Sequence, residues 1–164
     1  MSISLRMRRI PAEELDRGLS HLEAGFAATL DNAVYDAETE SGVLCDIGEQ
    51  WQFVHLVVTG ERHQVTGPSG LPVLGGEPLG QVGPTDRDLI LKLSPGDVSA
   101  AADFLRAVDL PGLMEVNREL LAERTGGSLP NLFLNVIKDH LADLRRFYDL
   151  AAEAGQAVVK RTYT

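Results

Sequence analysis

Cysteine is almost absent from this chain: Cys45 is alone among 164 residues. That excludes an internal disulfide framework and any CxxC redox or zinc site, and it suits a reducing, cytoplasmic setting. Histidines are few and scattered. His21, His55, His63 and His140 form no HExxH pattern, so no metal site is expected. No apolar run reaches the roughly 18 residues that a membrane helix needs, and the arginines near the start precede no stretch of signal-peptide character. Positive charge is also scarce. Lys+Arg 15 against Asp+Glu 24 leaves a net charge of −9, which disfavours nucleic acid and anionic lipid as partners and favours solubility.

What is present reads as one domain over residues 1–164 with no internal repeat. Ile3, Leu5 and Met7 alternate with Ser4, Arg6 and Arg8, which predicts a strand over 2–9 with one buried face. Pro11, Glu13 and Glu14 then open a helical stretch carried by Leu15, Leu19, Leu22 and Phe26 to about Leu30, whole or broken near Ser20. Asp31 to Ser41 loses periodicity and reads as a solvated loop. Asp46 and Glu49 have capping-box spacing, so a helix is expected from Asp46 to Gly60, with Ile47, Trp51, Val54, His55 and Val58 on one face.

Gly60 to Arg87 holds 7 of the 16 glycines and 4 of the 8 prolines, the mark of a long loop. Asp88 to Leu93 reads as a short strand, and Ser94-Pro95-Gly96-Asp97 starts a helix with a cap, a proline and an acid in the right order. Further helices follow, from Pro111 to the stop at Gly126-Gly127, and through Ile137, Leu141, Leu144, Phe147, Tyr148 and Ala151 to a C′ residue at Gly155. Ala157-Val158-Val159 makes a terminal strand. The pattern is that of an α/β domain in which amphipathic helices pack on a small mixed sheet.

Chemistry-bearing groups are sparse. His55 lies four residues after Trp51 and four before Thr59, on one helical stripe, and histidine titrates near neutrality without help. Its bland reading, a core histidine held by one hydrogen bond, outweighs a catalytic one. Cys45 could pair with His55 only across about 13 Å of helix axis, too far for a nucleophile and its base. Leu74-Gly75-Gly76-Glu77-Pro78-Leu79-Gly80 lacks both the Lys-Ser/Thr of a P-loop and the GxGxxG order of a dinucleotide turn, so no cofactor is implied. Within it, Glu77 is a candidate carboxylate facing a cleft. Gly67-Pro68-Ser69-Gly70 is one residue short of a nucleophile elbow.

Four stretches together resemble the YfbM-like family of small bacterial proteins, whose function is not known. They are the strand running into Arg9-Ile10-Pro11, the stretch from Asp46 through Trp51 and His55 to Thr59-Gly60, the Gly75-Gly76-Glu77 turn, and the end from Leu144 to Val159. The likeness spans nearly the whole chain and implies a three-layer α/β fold. Where the family usually carries a Gly-Tyr-Gly-Pro stretch, this chain has Gln81-Val82-Gly83-Pro84. The matching positions Trp51, His55, Gly75, Gly76 and Glu77, with Tyr148 from the last helix, become candidates for one ligand-binding cleft.

Three functional readings follow. The first is a non-catalytic module that binds a small molecule or a protein, since no catalytic constellation is complete. The second is a small enzyme using His55 and Glu77 for acid–base chemistry beside the Gly-rich loop. An assembly role, for instance as a homodimer, is the third.

Overall fold

The computed structural model describes residues 2–164. In chain order the strands are β1 (Ser4–Ile10), β2 (Leu44–Gly48), β3 (Glu77–Gln81), β4 (Leu89–Leu93) and β5 (Ala157–Tyr163). The helices are α1 (Leu19–Ala28), α2 (Asn32–Glu40), α3 (Trp51–Thr59), α4 (Pro95–Ala107), α5 (Leu110–Val116), α6 (Arg118–Arg124) and α7 (Asn131–Glu153). The strands form one sheet in the order β2-β1-β5-β4-β3. Every pairing is antiparallel, so the sheet is not mixed.

Alternation along the strands splits the apolar residues between two cores. Leu5 and Met7 of β1, Leu93 of β4 and Val158 of β5 join the larger core, with α3 to α7. Ile10, Ile90, Ala157 and Val159 face the other way, onto Leu22 and Phe26 of α1. Helices on both faces of one sheet make three layers. β5, the last element of the chain, lies at the centre of the sheet, and its first four residues are buried.

Local signals account for most boundaries. Ser94 is the expected N-cap of α4, and with Asp97 it forms a reciprocal capping box, Asp97 N donating to Ser94 Oγ at 3.2 Å. Gly60 ends α3 in the left-handed region at φ 72°, and Gly155 follows α7 at φ 63°, a conformation that side chains disfavour.

Three expectations need correction. Asp31 to Ser41 is not a loop: it holds α2, capped by Asp31 Oδ1, which accepts from Ala33 N at 2.8 Å. α2 buries no side chain completely, so it lacks an apolar stripe, and the Arg8–Glu38 ion pair at 2.6 Å ties it down instead. Asp46 is not a helix cap but a β2 residue. It sits opposite Arg6 in the β1–β2 register and binds its Nε at 2.8 Å, while α3 starts only at Trp51. The Gly/Pro-rich segment contains β3, which tolerates Pro78 because it is an edge strand with a register shift between Pro78 and Gly80.

Candidate functional site

α3 presents Trp51 and His55 one turn apart, and both line a cavity of about 180 Å³ with Gln52, Leu56, Arg62 and Arg124. Trp51 Nε1 donates to Ile3 O at 2.8 Å, which docks the indole on the start of β1. His55 is 1% exposed. Its Nε2 lies 2.8 Å from His63 O; a carbonyl only accepts, so Nε2 carries the proton and Nδ1 is left as a bare acceptor. Nδ1 is buried without a hydrogen-bond partner. Burial lowers the His55 pKa below 6.5; the His63 carbonyl opposes this and the nearby Lys160 charge adds to it. The ring is therefore neutral at pH 7, with its protonated nitrogen already engaged by backbone.

The remaining candidates do not line that cavity. Glu77 pairs with Lys92 across β3 and β4, with 3.3 Å between charged atoms and a side chain 70% exposed. Lys92 alternates with Leu93, which faces the large core, so Glu77 and Lys92 project from the opposite sheet face to the one α3 covers. His55 and Glu77 thus lie on different sides of the sheet.

Gly75 and Gly76 are shaped by packing. A Cβ on Gly75 would stand 2.6 Å from Leu71 Cα and 2.7 Å from Gly70 O, and one on Gly76 would stand 2.9 Å from Lys92 O. These glycines let backbone approach backbone, a different use from cradling a ligand. Tyr148 is fully buried, and its hydroxyl donates to Pro72 O at 2.9 Å. Cys45 is buried as well, and burial pushes its thiol far above the ordinary value, with Asp143 and Asp46 adding to the shift.

Lys160 is the residue that the sequence reading missed. It is 0% exposed on the central strand, and its Nζ donates to Leu71 O, to Val73 O at 3.0 Å and to Gly75 O at 2.7 Å. Burial pulls its pKa well below the usual lysine value, against the attraction of Asp97. Three carbonyl acceptors work the other way, because only the ammonium has three N–H groups to give. Lys160 and Tyr148 together pin residues 71–75 to the core. Its one sequence signal was parity: Lys160 shares the strand face of Val158, the large-core face.

A larger concavity of about 540 Å³ lies between α5 and the C-terminal two-thirds of α7. Leu110, Pro111, Met114, Leu141, Ala142 and Leu150 supply its apolar surface; Lys138, Arg145, Arg146, Asp149 and Glu153 stand around it. Leu141, Leu144 and Phe147 set α7's buried stripe, and the neighbouring positions 142, 146, 149 and 153 are left to face the groove. Its volume falls in the range of small-molecule sites. Nothing in the sequence alone marks it, because it is formed by two helices meeting.

Among the described residues, no three His, Cys, Asp and Glu side chains gather to hold a metal ion, and no helix is long and apolar enough to cross a membrane. The fold and its sites define a three-layer α/β domain around an antiparallel sheet, with an apolar groove between two helices. The chain belongs to the family described as domain of unknown function (DUF1877), whose family model matches residues 1–160. The fold is similar to that of the crystal structure of a protein of unknown function, YfbM from Escherichia coli. The TM-score is 0.60 at 18% sequence identity, covering 98% of this chain and 99% of that one. Among curated proteins none matches the chain. These likenesses carry a family and a fold, and neither indicates catalysis.

Proposed function

We propose that this chain is a non-catalytic binding module whose recognition surface is the groove between α5 and α7. The observation that carries this reading is the groove itself: about 540 Å³ of concave, largely apolar surface. A concave apolar site with a few polar groups at its edge is the usual form of a small-molecule site. Cys45 and Tyr148 are buried, and His55 spends its protonated nitrogen on His63 O. We place the module in the bacterial cytoplasm, working without nucleic acid or membrane partners. The lone buried thiol and the net charge of −9 support that setting.

The test uses the neutral apolar dye N-phenyl-1-naphthylamine, whose fluorescence rises on entering an apolar site. Wild type should bind it saturably. Ala142→Trp, at an exposed groove position, should fill the site and abolish binding while leaving the melting temperature unchanged. Dye binding that is absent in wild type, or unaltered in the variant, would defeat the proposal.

A further inference from the structure

We infer that the groove selects a small anionic amphiphile, an apolar chain ending in a carboxylate or similar anion; this rests on the groove being a binding site. The argument is charge accounting around one cavity. The chain carries 24 acids against 15 Lys and Arg, so a local excess of positive charge stands against the sign of the whole. Three cations surround the groove, and Lys138, Arg145 and Arg146 take part in no ion pair among the described residues.

The two arginine side chains are nevertheless held. Arg145 donates from Nε to Leu105 O and from Nη2 to Val108 O, both at 2.8 Å, and Arg146 Nη2 donates to Glu40 O at 3.1 Å. These carbonyls lie at the C-terminal ends of α4 and α2, whose partial negative charge orients the guanidinium groups and offsets part of their charge without neutralising it. Within the groove the acid beside them, Asp149, is paired with Arg106 at 2.6 Å, while Arg146 also borders a second cavity with Asp46 and Asp143. Glu153 stands alone at the far end, so the groove is polar along its length: cationic from 138 to 146, anionic only at 153. An amphiphile would lay its chain over Leu141, Met114 and Leu150 and place its head at the cationic end, gaining apolar burial and charge pairing together.

The experiment displaces the neutral dye with dodecanoate, dodecanol and dodecyltrimethylammonium, each below its micelle concentration. Dodecanoate should displace at roughly a tenfold lower concentration than dodecanol, with the trimethylammonium weakest, as partly exposed charge pairs would give. The Lys138→Gln/Arg146→Gln variant should lose most of that preference, as should wild type in about 1 M NaCl. Both positions are exposed, and Lys138→Gln alone serves if the pair disturbs folding. Equal displacement by dodecanol and dodecanoate, still blocked by Ala142→Trp, would overturn the anionic selectivity while the groove stood. Displacement by none of the three, with dye binding indifferent to Ala142→Trp, would bring down both. Binding of an acidic amphipathic peptide with no response to dodecanoate would also overturn the inference.

Discussion

Replacing Lys160 by methionine removes the ammonium while keeping an unbranched apolar chain of similar reach. In the folded protein this orphans the carbonyls of Leu71, Val73 and Gly75, which Lys160 Nζ now satisfies inside the core. A buried group left without a hydrogen bond costs about 1–3 kcal/mol, so three at the low end cost about 3 kcal/mol. The lost charge relieves part of a desolvation penalty, which trims the net to about 2–3 kcal/mol. For a domain of this size that is a fall in melting temperature of roughly 5–10 °C by circular dichroism. The loss should also be local. Gly75 N donates to Gly70 O at 2.7 Å and Gly70 N to Gly67 O at 3.1 Å, and both amides should exchange hydrogen faster in the variant while those of α7 slow-exchange as before. A variant as stable as wild type, with unchanged exchange at both glycines, would show that Val73 and Tyr148 hold the loop alone and refute the reasoning.

Three further outcomes follow from the same contacts. His55 has a folded pKa below its unfolded 6.5, so between those values the unfolded chain binds the extra proton; stability is full above pH 6.5 and declines as pH falls through the interval. Denaturant midpoints at pH 7.5 and 5 should therefore differ less in His55→Gln, with a residue from His140, whose pKa burial also lowers; an identical slope would contradict this. Gly75→Ala should lower the unfolding free energy by about 1–3 kcal/mol, read as a lower urea midpoint at constant m, because its Cβ would meet backbone 2.6 Å away that cannot swing aside; an unmoved midpoint would count against the packing account. Cys45 should resist iodoacetamide at pH 8 in the native protein and react fully in guanidinium, and rapid native labelling would show that the thiol is not sealed.

Much of the fold was legible wherever a local rule dominated. The alternation of Leu5 and Met7 with Arg6 and Arg8, the Ser94 N-cap, and the glycines at 60 and 155 each act through neighbours within a few residues. The failures share a cause. Asp46 and Glu49 have the spacing of a cap, but Arg6 on the adjacent strand outbids the helix for Asp46. α2 was invisible because its stabilising partner is Arg8, thirty residues away. β3 hid among glycines and prolines because an edge strand needs only half its backbone groups paired.

The candidate site divides in the same way. Trp51 and His55 do share a cavity, because helical spacing alone sets residues i and i+4 side by side. Glu77 was grouped with them on resemblance, yet strand parity at Lys92 turns it to the other face of the sheet.

By itself, then, the scarcity of cysteine and of positive charge, with the capped helices and one alternating strand, determined a single acidic α/β domain without a disulfide framework. Only the tertiary structure decided that β5 lies at the centre of an antiparallel sheet, that Lys160 is spent on holding a glycine-rich loop, and that α5 and α7 enclose an apolar groove with Lys138, Arg145 and Arg146 on its rim. The physical reason is range. Caps and periodicity act over a turn or two, whereas strand order, buried charge and grooves depend on residues far apart in the chain meeting in space.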